Sequence, residues 1–176
     1  MNVPEGYYVK DIVEDDLPQI LEIVNYIIRN TTSIWRSTED TLEGRKAWLQ
    51  TTKAGGYPAI GLFEASSNRL VGFVSSGPFD SSEGYKFTTE CAIGFRHDYT
   101  GKGLGRFLLQ HLLQVLRDSG FAVVIAAISG TNQGSSRFFA REGFSKTGFL
   151  PGIGFKNGQR LDLELWQMNF ADWAPK

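Results

Sequence analysis

The densest binding chemistry in the chain lies in eight consecutive residues, Tyr99-Thr100-Gly101-Lys102-Gly103-Leu104-Gly105-Arg106. Alternating glycines leave backbone N–H groups uncovered, so an anion can approach closely. The residues that follow have the periodicity of a helix, and a helix N-terminus adds orphan N–H donors and partial positive charge. Lys102 and Arg106 add cations to a chain of formal net charge -1. A diphosphate is the natural ligand of such a turn. The spacing excludes two common diphosphate loops. In the phosphate loop of nucleotide hydrolases a Gly-Lys pair is followed by Ser or Thr, whereas Lys102 is followed by Gly103. In a dinucleotide fingerprint, the third glycine would fall on Arg106 or Leu108. A ligand-free strand-to-helix turn is the bland alternative.

A second candidate lies eleven residues upstream of the first glycine. Glu90 stands near the head of a predicted strand, Phe87 to Phe95, that runs into the turn. Spacing alone leaves it as either a base or an edge-strand glutamate facing solvent. Cys91 adjoins it, but strand alternation turns Cys91 to the other face, as a small core residue. The chain has one cysteine and two histidines, His97 and His111, so it has no intrachain disulfide and no metal site is expected. Neither histidine has a visible partner, and both are read as bystanders.

The elements that must position these groups are legible from periodicity. Tyr7 to Val13 reads as a strand, followed by a helix from Asp15 or Asp16 to Asn30 with Leu17, Ile20, Leu21, Val24 and Ile28 on one stripe. A second helix is predicted from Thr41 to Thr52. Pro58 to Ala65, Leu70 to Ser76 and Phe87 to Phe95 read as three strands joined by hairpin-length connections. Gly103 to Ser119 is the clearest helix. Phe121 to Ile128 reads as a strand buried on both faces. A short helix then starts at Asn132 or Ser135 and ends at Gly143. Phe144 to Leu150 and Gln159 to Asn169 read as final strands joined by a glycine-rich loop. The expectation is an α+β fold with a mixed, mostly antiparallel sheet and one β-α-β crossover.

Composition narrows the class. The chain has 176 residues, 41% hydrophobic and 21% charged, and 20 glycines spread along its length. That fits one domain over residues 1–176 rather than a disordered or collagen-like chain, and the charge balance argues against a nucleic-acid binder. No signal segment and no apolar run of about 18 residues is visible, so a soluble cytoplasmic protein is expected, without membrane or nucleic-acid partners.

Thr100-Gly101-Lys102-Gly103-Leu104-Gly105 resembles the pyrophosphate motif of the GNAT superfamily of acyl-CoA-dependent N-acyltransferases, with Thr100 where that motif has Gln or Arg. From about residue 8 to 170 the chain is similar to the phosphinothricin acetyltransferase branch. The resemblance is carried further by Asn30-Thr31-Thr32-Ser33-Ile34-Trp35-Arg36, Gly56-Tyr57-Pro58, Thr88-Thr89-Glu90, Asn132-Gln133-Gly134-Ser135 and Leu161-Asp162-Leu163. It implies a GNAT-like sheet flanked by helices, acetyl-CoA as co-substrate, a small amino acid or analogue as acceptor, and a homodimer. It implies that Glu90 takes the amine proton through water. It also implies that Ile93, Gly94 and Phe95 line the acetyl and pantetheine arm, that Gly101 to Arg106 hold the pyrophosphate, and that Asn132 and Ser135 contact the arm. Asn132 would serve equally as a helix cap. Phe139 stands where the family often has a proton-donating Tyr or His, and phenylalanine has no proton to give.

Trp35 and Arg36 are candidate acceptor residues, with Arg36 either holding a carboxylate or forming a surface ion pair. Tyr85, Lys86 and Thr89 are further candidates. Asp80 and Glu83 make the adjoining loop acidic, which favours neutral amino-acid analogues over an anionic one such as phosphinothricin. At pH 7 an α-amino group is made neutral for about 1–1.4 kcal/mol, a lysine amine for over ~4 kcal/mol, so one glutamate suits an α-amine better. Trp166, Phe170 and Trp173 are read as core or dimer contact. Other readings are acetylation of a protein or polyamine amine, and a non-catalytic acyl-CoA-binding module.

Overall fold

A computed structural model describes residues 2–171. The elements follow the predicted order. They are β1 (Tyr7–Asp11), α1 (Leu17–Asn30), α2 (Leu42–Ala54), β2 (Ala59–Glu64), β3 (Arg69–Pro78), β4 (Thr88–Phe95), α3 (Leu104–Asp118), β5 (Val123–Ser129), α4 (Gln133–Arg141), β6 (Ser145–Lys156) and β7 (Gln159–Asn169). The strands form one mixed sheet in the order β1-β2-β3-β4-β5-β7-β6, and every pairing is antiparallel except β4 with β5. Trp173 lies outside the described residues. Trp166 and Phe170 pack against the core.

Each face of the sheet is covered by helices whose apolar stripes the sequence encodes. On one face α3 buries Leu104, Phe107, Leu108, Leu109, Leu112, Leu113 and Leu116 against Ile60, Leu62, Val74, Val124 and Ile128. On the other, α1 buries Leu17, Ile20, Ile23, Val24 and Ile28 against Phe63, Leu70 and Phe73. Ile23 rather than Leu21 completes that stripe. Each fully buried aliphatic side chain contributes roughly 1.5–3 kcal/mol. These two layers therefore hold the start of α3 and the end of α1 at fixed heights over the sheet.

The parallel pair departs from an ordinary ladder. Register runs only from Thr88↔Val123 to Glu90↔Ile125. Beyond it β4 stays paired to β3 as far as Phe95↔Gly72, and β5 stays paired to β7 as far as Ser129↔Leu163. Each strand follows its own half of a twisted sheet, and the halves part.

The predicted glycine-rich loop after Leu150 is strand instead. β6 continues to Lys156, with register shifts between Lys146 and Gly148 and between Leu150 and Gly154. Its glycines serve an edge strand that bends, and Gly154 leaves room for the Trp35 ring, which a Cβ would overlap.

Candidate active site

The fork between β4 and β5 opens into a cleft of about 550 Å³. Its walls are Glu90 to Phe95 of β4 and Ala126 to Ser129 of β5. Ile27 of α1, Ser33 and Ile34 of the segment after it, Asn132 and Ser135 at the start of α4, and Phe139 in its last turn close it. Along each strand the edge that would face its neighbour lacks a ladder partner past Glu90↔Ile125. Backbone N–H and C=O groups there need an acceptor and a donor, which an extended amide-bearing arm supplies as a strand would.

The anion turn sits at the foot of β4. Gly101 and Gly103 adopt φ of +75° and +78°, a left-handed backbone that disfavours any side chain. Gly103 is also the N-cap of α3, and no side chain caps the helix. The first-turn N–H groups are left for a ligand. Leu104 is buried in the core and contributes only backbone. A Cβ at Gly105 would meet the Phe138 ring at 3.5 Å, an ordinary contact, so packing alone does not demand glycine there. Lys102 lies over the Tyr99 ring at 4.6 Å, and Arg106 stands 3.7 Å from Glu142.

Glu90 occupies the point of the fork and reaches a second cavity of about 470 Å³ on the α2 side. That cavity is lined by Trp48, Thr51, Thr52, Ser75, Gly77 and Pro78. β4 is an interior strand, so Glu90 is not an edge glutamate; its side chain is open to these cavities. Crowding by protein raises its pKa above the ordinary carboxylate value. Cys91, on the opposite face, is 6% exposed, and burial first, then the Glu90 charge, pushes its thiol up to about 12.

Other predicted site residues divide. Ile93 and Phe95 line the cleft. Gly94 does too, but its missing side chain makes room for Phe73, whose ring a Cβ would approach to 2.9 Å. Asn132 does cap α4, its Oδ1 accepting the Ser135 N–H at 3.1 Å, while its Nδ2 donates to Ser33 Oγ at 2.8 Å. Phe139 is buried, its ring edge-on to Phe138 and Phe144. Thr89 is fully buried and faces away from Glu90, its hydroxyl donating to the Gly77 carbonyl at 2.6 Å, so it supports the hairpin rather than touching an acceptor. Arg36 ion-pairs with Asp40 at 3.1 Å, the surface-pair alternative. Tyr85 packs on Phe79 and Lys86 sits 3.8 Å from Glu83, both on the loop beyond the cavities. Trp35 is spent on Gly154.

Sequence reasoning passed over His97, which lines the cleft mouth and stacks on Tyr26 with ring centroids 4.8 Å apart. It also passed over the hydroxyls and indole of α2. The pairing of α2 with Glu90 spans about forty residues, and no local spacing signals it.

The buried Cys91 gives a direct check of this geometry. In the folded protein at pH 8 the thiol should be silent to an aromatic disulfide reagent, and one thiol per chain should react after denaturation. Rapid labelling of the native protein would contradict the placement of β4.

The Acetyltransferase (GNAT) family model matches residues 20–144. The chain is 38% identical over 161 residues to the L-methionine sulfoximine/L-methionine sulfone acetyltransferase of Pseudomonas aeruginosa, covering 92% of this chain and 93% of the relative. A Salmonella typhimurium protein solved with its cofactor acetyl-CoA superposes with TM-score 0.91 at 30% identity, covering 98% of this chain and 99% of that one. The phosphinothricin acetyltransferase of Sinorhizobium meliloti, solved with acetyl-CoA, superposes with TM-score 0.92 at 25% identity over 97% and 94% of the two chains. The forked sheet, the uncapped glycine turn at its foot and these likenesses lead to one conclusion: the chain belongs to the GNAT family and is an N-acetyltransferase that takes its acetyl group from acetyl-CoA.

Proposed function

We propose that the protein acetylates the amino group of a small amino acid or amino-acid analogue by direct attack in a ternary complex. The observation that carries this reading is the position of Glu90 at the junction of two cavities. The cofactor arm runs up the fork from the Gly101–Arg106 turn, with its amides against the free edges of β4 and β5. The amine enters from the α2-side cavity. Glu90 accepts the amine proton through water, and the nitrogen lone pair attacks the thioester carbonyl. Backbone N–H groups near Ile93 stabilise the oxyanion. The C–S bond then breaks and the thiolate leaves. Phe139 cannot protonate it, and with a thiol pKa near ~8.5 water does so.

The α2-side cavity favours an uncharged acceptor side chain. Among the described residues its walls are Trp48, Pro78 and alanines with Thr and Ser hydroxyls, and its one charged wall residue is Glu90. Arg36 and Arg45, on the nearby segment, are both engaged by Asp40. An anionic side chain placed there meets like charge without a cation. The same cavity is open to a short amine, which keeps a polyamine acceptor as the second reading.

We also propose a homodimer in the cytoplasm. The edge strand β6 exposes Phe149, Ile153 and Phe155, the last at 66%. A row of large apolar side chains on an open sheet edge is a surface that a second copy covers. Sedimentation at micromolar concentration should give twice the 19.6 kDa chain mass, and Phe155→Glu should shift it toward the monomer; a wild-type monomer would remove the second copy.

Glu90→Gln should lower kcat/KM by about 10²-fold while acetyl-CoA affinity, read by calorimetry, changes by less than about twofold. The wild-type kcat/KM should show an acid limb above the ordinary carboxylate value of about 4.3, because the raised pKa keeps Glu90 protonated to higher pH, and the variant should lack it. The sign for stability is opposite. A carboxyl whose folded pKa is raised favours folding while protonated and loses that contribution as pH rises through the folded value. The variant should therefore melt higher than wild type at pH 7 and level with it at pH 4 and below. Unchanged turnover would take Glu90 out of the mechanism.

Among acceptors, thiol release with methionine sulfone should exceed that with phosphinothricin by at least ~10-fold in kcat/KM. Equal or reversed rates would refute the neutral-side-chain reading. No release with any small amine, despite acetyl-CoA binding, would refute the small-acceptor reading.

A further inference from the structure

Lys156 is the most buried charge in the described chain. It ends β6 with 2% of its surface exposed, and its ammonium has a full set of partners. The three N–H bonds donate to the carbonyls of Ile28 at 2.6 Å, Thr31 at 2.6 Å and Ile34 at 2.7 Å. An ammonium has three donors, so none is left over. Ile28 belongs to the last turn of α1 and Thr31 is its C-cap, where unsatisfied carbonyls and the negative end of the helix dipole favour a cation. Ile34 lies beyond the helix. One side chain from the far edge of the sheet thus ties the end of α1 to the segment that follows it.

That segment, residues 31–36, borders the acyl cleft. Thr31, Ser33 and Ile34 are wall residues. It has three further uncharged anchors. The Trp35 ring fills the space over Gly154, two residues before Lys156 and on the same side of β6. Thr32 Oγ1 hydrogen-bonds Thr131 Oγ1 at 2.7 Å, and Ser33 Oγ accepts from Asn132 Nδ2 at 2.8 Å. Asn132 in turn caps α4 and faces the cleft. The strap therefore reaches from the end of β6 across the cleft to α4. The elements it links are distant in sequence; the Lys156 ammonium binds its backbone carbonyls, and at its far end Arg36 ion-pairs with Asp40 at 3.1 Å.

We propose that Lys156 is a positioning residue for acetyl-CoA, holding the 31–36 strap so that Ser33 and Ile34 wall the acyl cleft and Asn132 keeps the orientation in which it borders the cofactor arm. This rests on the reading of the β4–β5 fork as the acyl-arm site. A strap displaced by an ångström loosens the arm before chemistry begins, so the effect falls on cofactor KM rather than on the rate once both substrates are bound.

The test compares Lys156→Met and Ser33→Ala with wild type in steady-state kinetics at saturating acceptor, with thermal melting alongside. Lys156→Met keeps the unbranched stem of the side chain and removes the ammonium. Ser33→Ala cuts the strap at its other end without touching a buried charge. Lys156→Met should raise the acetyl-CoA KM about tenfold, with kcat within about threefold. Ser33→Ala should raise it about threefold at nearly unchanged melting temperature. A lowered melting temperature with acetyl-CoA KM within twofold of wild type would make Lys156 a purely structural residue and overturn the proposal. So would a fall in kcat at constant KM. If Lys156→Met does not fold, Ser33→Ala decides: a raised KM supports the strap, an unchanged one overturns it. Wild-type calorimetry with acetyl-CoA comes first; lack of binding there would overturn the assignment of the fork itself, and this inference with it.

Discussion

The short parallel pairing of β4 with β5 is the constraint on which the rest of the molecule depends. Three residues of ladder hold the strands together at Thr88 to Glu90. Past that point each strand remains committed to its other neighbour, β4 to β3 and β5 to β7. A buried strand edge without a partner is costly unless something supplies the missing hydrogen bonds. The fold therefore carries, at its centre, a slot shaped for an extended amide-bearing ligand. The two cores on opposite faces of the sheet keep the slot open, because α1 is held to one half and α3 to the other side of the same strands.

Chemistry is distributed around that slot by environment rather than by clusters of charge. Glu90 and Cys91 are adjacent in sequence yet face opposite sides of β4. Burial raises both pKa values, but with different consequences. The carboxyl stays open to two cavities and becomes a better base, whereas the thiol is sealed in the core and becomes inert. At the foot of the slot, glycines in the left-handed region expose the start of α3 to an anion. At its far wall, Lys156 serves the opposite end of a different helix, binding the carbonyls at the end of α1. Two helix termini of opposite polarity thus bound the cleft, one without a side-chain cap and one satisfied by Lys156.

Helices, hairpins and the glycine turn were legible in the chain because each is a local pattern. The α3 stripe, Gly120 after it, and the cap at Asn132 are short-range physics, and they stand where expected. The errors have one cause. Residues 151–156 look like a loop because Pro151, Gly152 and Gly154 are poor strand formers. The strand continues through them because β7 pairs with Gly154 to Lys156 beyond a bulge, and Trp35 needs the space at Gly154. Thr89 neighbours Glu90 in sequence, but strand alternation sends it into the core. Arg36 had the right type for a carboxylate clamp, but Asp40 lies one turn of chain away and holds it. His97 has no partner within its own stretch of sequence, and the ring it stacks on, Tyr26, is seventy-one positions distant.

By itself, the sequence determined what each segment is able to be: which stretches bury a stripe, which turn can cradle a diphosphate, and which single carboxylate leads into it. Those are decided by neighbours within a few residues, where side-chain type and backbone freedom act directly. Only the tertiary structure decided which groups meet. It alone parts β4 from β5 and brings Trp48 and Thr51 beside Glu90. It also sends Lys156 across the sheet to the end of α1. Such meetings depend on the register of seven strands and the packing of two layers, and these are collective properties that no short window of sequence contains.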